Sequence, residues 1–135
     1  MLSLLFSFLL SISCNIPFHS IDVVMTNRVI PTENNAAFRH IHVHGNKGVY
    51  LITGETNLIS RVVFYSVEDG HVEFIHEKKL SVKKKSQKWT SFKIRMEIPN
   101  SKLPRNGSLI LNLYERTSKG VTVHPYSVIL EEFYD

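Results

Sequence analysis

His40, His42 and His44 occupy alternate positions of the run Arg39-His40-Ile41-His42-Val43-His44, the densest set of metal-ligating side chains in the sequence. Alternate residues of an extended strand share a face, so three imidazoles fall on one side, with Ile41 and Val43 on the other. Two such histidines can hold zinc or copper through neutral nitrogens when a third ligand comes from a neighbouring strand or turn. His71, His76 and His124 are candidates for that third ligand. No Asp or Glu lies inside the triplet to act as a general base, so the chemistry on offer is metal binding rather than catalysis. A polar strand face in water accounts for the same residues. Elsewhere no Gly-x-Ser-x-Gly elbow surrounds a serine. The glycines stand apart at turn positions, whereas a phosphate cradle needs them clustered ahead of a helix. Glu55, Asp69 and Glu115 read as turn caps or surface charge. The pattern predicts no catalytic residues and no cofactor.

The elements that must carry these residues are short strands. Alternating runs at 38–44, 49–54, 58–67, 72–82, 89–98, 109–115 and 121–133 are separated by turn signals at the spacing of a β-sandwich. Asp69-Gly70 is a strong hairpin signal because both residues accept positive φ, and Ile98-Pro99, Leu103-Pro104 and Gly107 make the turn after the fifth run. Phe92, Ile94, Met96 and Ile98 share a face, as do Leu109, Leu111 and Leu113. With Val128 and Leu130 they are expected to fill the space between two sheets roughly 10 Å apart. Val63, Tyr65 and Val67 oppose Val62 and Phe64 on the third run, which therefore reads as a central strand or one covered on both sides. Trp89 starts its strand, where it reads either as a plug of the sandwich end or as a binding aromatic. No stretch beyond the leader has helical periodicity. The expected class is all-β.

A chain of 135 residues suits one domain. Its formal net charge is +4, and no charged residue precedes Asp22. Lys78, Lys79, Lys83, Lys84, Lys85 and Lys88 concentrate the excess. Such a cluster could meet anionic lipid or a wall polymer, or keep an edge strand soluble. Nucleic acid is disfavoured because no aromatic residues are interleaved there as stacking platforms. Residues 1–13 are apolar and uncharged but shorter than the roughly 20 residues needed to span a bilayer. They read as a secretory h-region without its basic flank. The only cysteine, Cys14, excludes an intramolecular disulfide. Leu10-Ser11-Ile12-Ser13-Cys14 resembles the lipobox of bacterial lipoproteins, although Ser11 stands where leucine is usual and Leu10 lies one position further out. The resemblance implies lipidation of Cys14. The expected division is a signal peptide or lipoprotein leader at 1–14, a tether or added edge strand at 15–36, and the folded domain at 37–135.

From Phe38 to Phe133 the order Val49-x-x-x-Thr53-Gly54-Glu55, Val63-x-Tyr65, Asp69-Gly70, Trp89-x-x-Phe92, Ile98-Pro99, Pro104-x-x-Gly107-x-Leu109-x-Leu111-x-Leu113-Tyr114-Glu115 and Ser118-x-Gly120 resembles the immunoglobulin-like domain of bacterial spore-germination and sporulation proteins. That resemblance implies an exported immunoglobulin-like sandwich of about seven strands with a binding or assembly role at the spore membrane or envelope. It carries no catalytic positions. Members often have a Pro-rich lead into the first strand and an acidic surface, where this chain has the histidine run and the lysines. The expected partner is another envelope or spore-membrane protein or a cell-wall polymer, with a lipid anchor at the membrane. Trp89, Tyr114, Glu115, Lys84, Lys85 and Lys88 are the expected contact residues. Two other readings stay open: an inhibitor of an extracellular enzyme that wedges in its 83–88 loop, and a metal-binding protein built on His40, His42 and His44.

Overall fold

Apolar side chains at every second position give each segment one face to bury, and two such sheets can bury their faces only against each other. A computed structural model of the chain describes residues 37–83 and 86–135. Cys14, the leader, the tether and its expected edge strand, and Lys84 and Lys85 lie outside the described residues. The strands are β1 (Phe38–Asn46), β2 (Val49–Thr56), β3 (Val62–Glu68), β4 (Glu73–Ser81), β5 (Thr90–Glu97), β6 (Gly107–Arg116) and β7 (Thr122–Phe133). They form a three-stranded sheet in the order β1-β2-β5 and a four-stranded sheet in the order β4-β3-β6-β7. All neighbours are antiparallel. The chain changes sheet between β2 and β3, between β4 and β5 and between β5 and β6.

The core follows the alternation. Ile41 and Val43 of β1, Tyr50 and Ile52 of β2, and Phe92, Ile94 and Met96 of β5 meet Val63 and Val67 of β3, Leu109, Leu111 and Leu113 of β6, and Val128 and Leu130 of β7. Each large apolar side chain so buried contributes roughly 1.5–3 kcal/mol. β3 is central, between β4 and β6, which explains why Phe64 on its outer face is partly covered as well. At one end the Tyr50 phenol donates to Glu131 Oε2 at 2.5 Å and accepts the Gly48 N–H at 3.2 Å. Glu131 also accepts the Lys47 N–H. This joins the β1–β2 turn to β7 of the other sheet.

Three local features differ from the sequence expectation. The third strand begins at Val62, not at residue 58. Arg61 has φ of 55° and its N–H bonds the Leu58 carbonyl, so residues 58–61 form a turn that throws Ile59 outward. In the β3–β4 connection only Gly70 takes positive φ, while the Asp69 carboxylate accepts the N–H groups of His71 and Val72, both at 2.8 Å. Those two backbone bonds hold the Asp69 carboxyl below its ordinary range. After β5, residues Asn100–Lys102 form a single 3₁₀ turn.

Candidate functional site

The histidine run sits on an edge strand, and its regular alternation is broken at one point. Arg39 pairs with Glu55 and His42 with Thr53, so His40 and Ile41 together face Gly54. The missing side chain at Gly54 makes this bulge possible: a Cβ there would lie 2.3 Å from Ile41 Cδ1. His40 is turned to φ of 52°, and its Nδ1 lies 3.0 Å from Glu55 Oε2. His42 and His44 remain exposed on the outer face, with Ile41 and Val43 buried behind them. His76 pairs with Glu73 and His124 with Glu115. Among the described residues no three His, Cys, Asp or Glu side chains come together to hold a metal ion. No sequence pattern in β1 announces the bulge; the unusual core-facing glycine of β2 is the only hint of it.

Trp89 belongs to the same corner. Its parity on β5 points it outward, and it is half-buried under Arg39, whose guanidinium carbon lies 4.1 Å from the ring centroid. Arg39 Nε also donates to Glu55 Oε2 at 2.7 Å. That bond, followed by the one with His40, keeps the Glu55 carboxyl below the usual range. The tryptophan is thus neither an end plug nor a free platform: one face is already stacked by a cation.

Tyr114 lies across the molecule, on the outer face of the four-stranded sheet. It is only 8% exposed, because Phe64 on the neighbouring strand stacks on it with ring centroids 6.1 Å apart and Arg116 lies over the ring at 5.2 Å. Its hydroxyl donates to Glu77 Oε2 at 2.6 Å, and Arg116 Nε and Nη2 donate to the same oxygen. Arg116 Nη1 continues to the Gly120 carbonyl and Thr122 Oγ1, tying in the β6–β7 turn. Glu115 faces the other way and holds His124 at 3.1 Å. The structure therefore brings Tyr114 and Glu115 into two separate internal networks, and both lie apart from Trp89. Glu77 and Arg116, the residues that fix Tyr114, were not among the expected contacts. Their pairing depends on β4 and β6 flanking β3, which no local pattern reveals.

Burial first, and then the bond to Glu77, push the Tyr114 phenol up to about 12. The Arg116 bond holds Glu77 below the carboxylate range. A raised folded-state value means that Tyr114's contribution is complete below the ordinary tyrosine value of about 10 and is lost as pH rises toward 12. Replacing Glu77 by Gln is expected to move part of the tyrosine ionisation to lower pH, read by phenolate absorbance during alkaline titration. Superimposable curves for the two proteins would contradict this account of the cluster.

Lys88 is exposed at the β4–β5 connection, close to Trp89 in the chain. Among the described residues no helix is long and apolar enough to cross a membrane. The fold and these surfaces define an all-β, two-sheet protein whose prominent polar side chains are engaged in sheet-face networks. No family model, no curated protein and no solved structure matches the chain.

Proposed function

We propose that this chain is a non-catalytic binding and assembly module of the extracytoplasmic envelope, built on an immunoglobulin-like sandwich and serving bacterial sporulation or spore germination. The strand order supports this reading. Lettered A to G along the chain, the strands group as A-B-E and D-C-F-G. The constant-type immunoglobulin arrangement groups A-B-E-D and C-F-G, and fibronectin type III domains share its sandwich architecture. The fourth strand here lies beside the third rather than the fifth. The ordered motifs from Val49 to Gly120 add the sporulation resemblance, and Leu10-Ser11-Ile12-Ser13-Cys14 adds the anchor.

The mechanism in this reading is positional. Lipid on Cys14 holds the domain at the outer face of a membrane, and an exposed end of the sandwich docks an envelope protein or wall polymer. Among the described residues every buried side-chain nitrogen or oxygen has a hydrogen-bond partner. The scaffold is therefore internally satisfied, which suits a rigid presenting body. The test compares the intact mass and detergent partitioning of the native protein with those of Cys14→Ala. The expected result is a product beginning at a diacylated Cys14, with partitioning lost in the variant. A water-soluble wild-type product cleaved elsewhere would remove the anchor from the proposal.

A further inference from the structure

One end of the sandwich collects features that the sheet-face networks do not use. Phe38 opens β1 opposite Thr56 at the end of β2, and Thr56 pairs with Thr90 at the start of β5. The start of β1 therefore lies at this end, alongside the 57–61 turn and the crossing from β4 to β5. Between those two connections lies a depression of about 450 Å³ with Arg61, Lys88, Ser86 and Gln87 on its rim and Leu58 and Val82 beneath. Among the described residues no acidic side chain lines it. Arg61 and Lys88 take part in no ion pair among the described residues. Lys83 is exposed close by.

Ile59 decides what kind of partner suits this end. It is 95% exposed, at the tip of a turn that Arg61 holds in a left-handed conformation. The turn is fixed at both sides: the Arg61 N–H bonds the Leu58 carbonyl at 3.2 Å, and the Arg61 carbonyl accepts the Val82 N–H at 2.8 Å. Positive φ in a non-glycine residue such as Arg61 is costly, and such strain clusters at functional sites. A polyanion in water would satisfy the cations but would offer an isoleucine nothing to bury against. A lipid surface offers both phosphate and an apolar layer.

We propose that this end docks on an anionic lipid surface, with Ile59 entering the interface and Arg61, Lys83 and Lys88 meeting the phosphate groups. The proposal deepens the envelope reading and rests on it only for the presence of a membrane. The chain's single tryptophan, Trp89, precedes β5 at the same end and is the natural reporter.

In the full chain, Trp89 fluorescence is expected to be quenched by vesicles of phosphatidylglycerol and brominated phosphatidylcholine, and much less by brominated phosphatidylcholine alone. Ile59→Asp is expected to weaken the quenching, and the double change Arg61→Glu/Lys88→Glu to lower the apparent affinity by at least about tenfold. Lys102→Glu, beyond the far end of β5, should behave as wild type. Unchanged denaturation midpoints would show that the altered residues act at the surface. Three results would overturn the proposal: no quenching by the anionic vesicles, equal quenching by neutral vesicles, or variants that match wild type. Each is distinct from the Cys14→Ala partitioning result, which concerns the anchor alone.

Discussion

Leu111→Ala is expected to remove about 2–5 kcal/mol of folding free energy. Leu111 lies at the middle of β6 with no solvent exposure. It is registered against Val67 of β3 on one side and Val128 of β7 on the other, and both of these are themselves fully or almost fully buried. Its side chain faces the three-stranded sheet, so truncation opens a cavity walled by two sheets whose backbones are pinned by hydrogen bonds and can collapse only slightly. Domains of this size have total stabilities of roughly 5–15 kcal/mol, so the loss is a large fraction of the whole. Chemical denaturation should show a lowered midpoint with an unchanged slope. Ile59→Ala, at the exposed turn, should change stability by no more than about 0.5 kcal/mol. A Leu111→Ala loss below about 1 kcal/mol would contradict the burial described for β6.

Gly48→Ala is expected to cost roughly 2–4 kcal/mol, by adding the left-handed strain of a non-glycine residue to a steric clash and a lost hydrogen bond. Gly48 has φ of +89°, and a Cβ on it would lie 2.1 Å from the Ile98 carbonyl oxygen. The Ile98 N–H donates to the Gly48 carbonyl at 2.7 Å, so relieving the clash pulls this contact apart. The Gly48 N–H in turn reaches the Tyr50 phenol, which holds Glu131 of the opposite sheet. Gly70→Ala provides the internal comparison. Gly70 has φ of +91° but nothing within 4 Å of an added Cβ, so it carries backbone strain without collision. The difference between the two denaturation midpoints isolates the close approach at Gly48. Equal losses would mean that the β1–β2 turn can yield at no cost.

The strand content and the inward faces were legible because alternation is a property of consecutive residues. Phe92, Ile94 and Met96, or Leu109, Leu111 and Leu113, announce one buried face wherever their strand ends up in the sheet. The flanks of β3 were legible for a related reason: apolar residues on both faces of a strand mark one that is covered on both sides. Less could be read at strand ends. The 58–61 turn carries apolar residues that continue the alternation, and only the backbone reversal at Arg61 shows Ile59 directed to solvent.

Side-chain partnerships between distant segments were not legible at all. Tyr114 reads as an exposed tyrosine at a strand end, yet Phe64, Glu77 and Arg116 enclose it once β3, β4 and β6 lie side by side. His40 reads as the first member of a regular histidine row, yet the empty site at Gly54 lets β1 bulge and sends that imidazole to Glu55. Trp89 reads as a plug or a platform, and the answer depended on Arg39, which lies two strands away in the same sheet. By itself the sequence determined the all-β class and the inward faces of the strands, because period-two patterning acts through neighbouring residues. Only the tertiary structure decided which strands are neighbours, which polar residues are spent on one another, and that Arg61 and Lys88, in no ion pair among the described residues, lie at the same end as the exposed Ile59. Those outcomes depend on contacts between segments far apart in the chain, which no local pattern encodes.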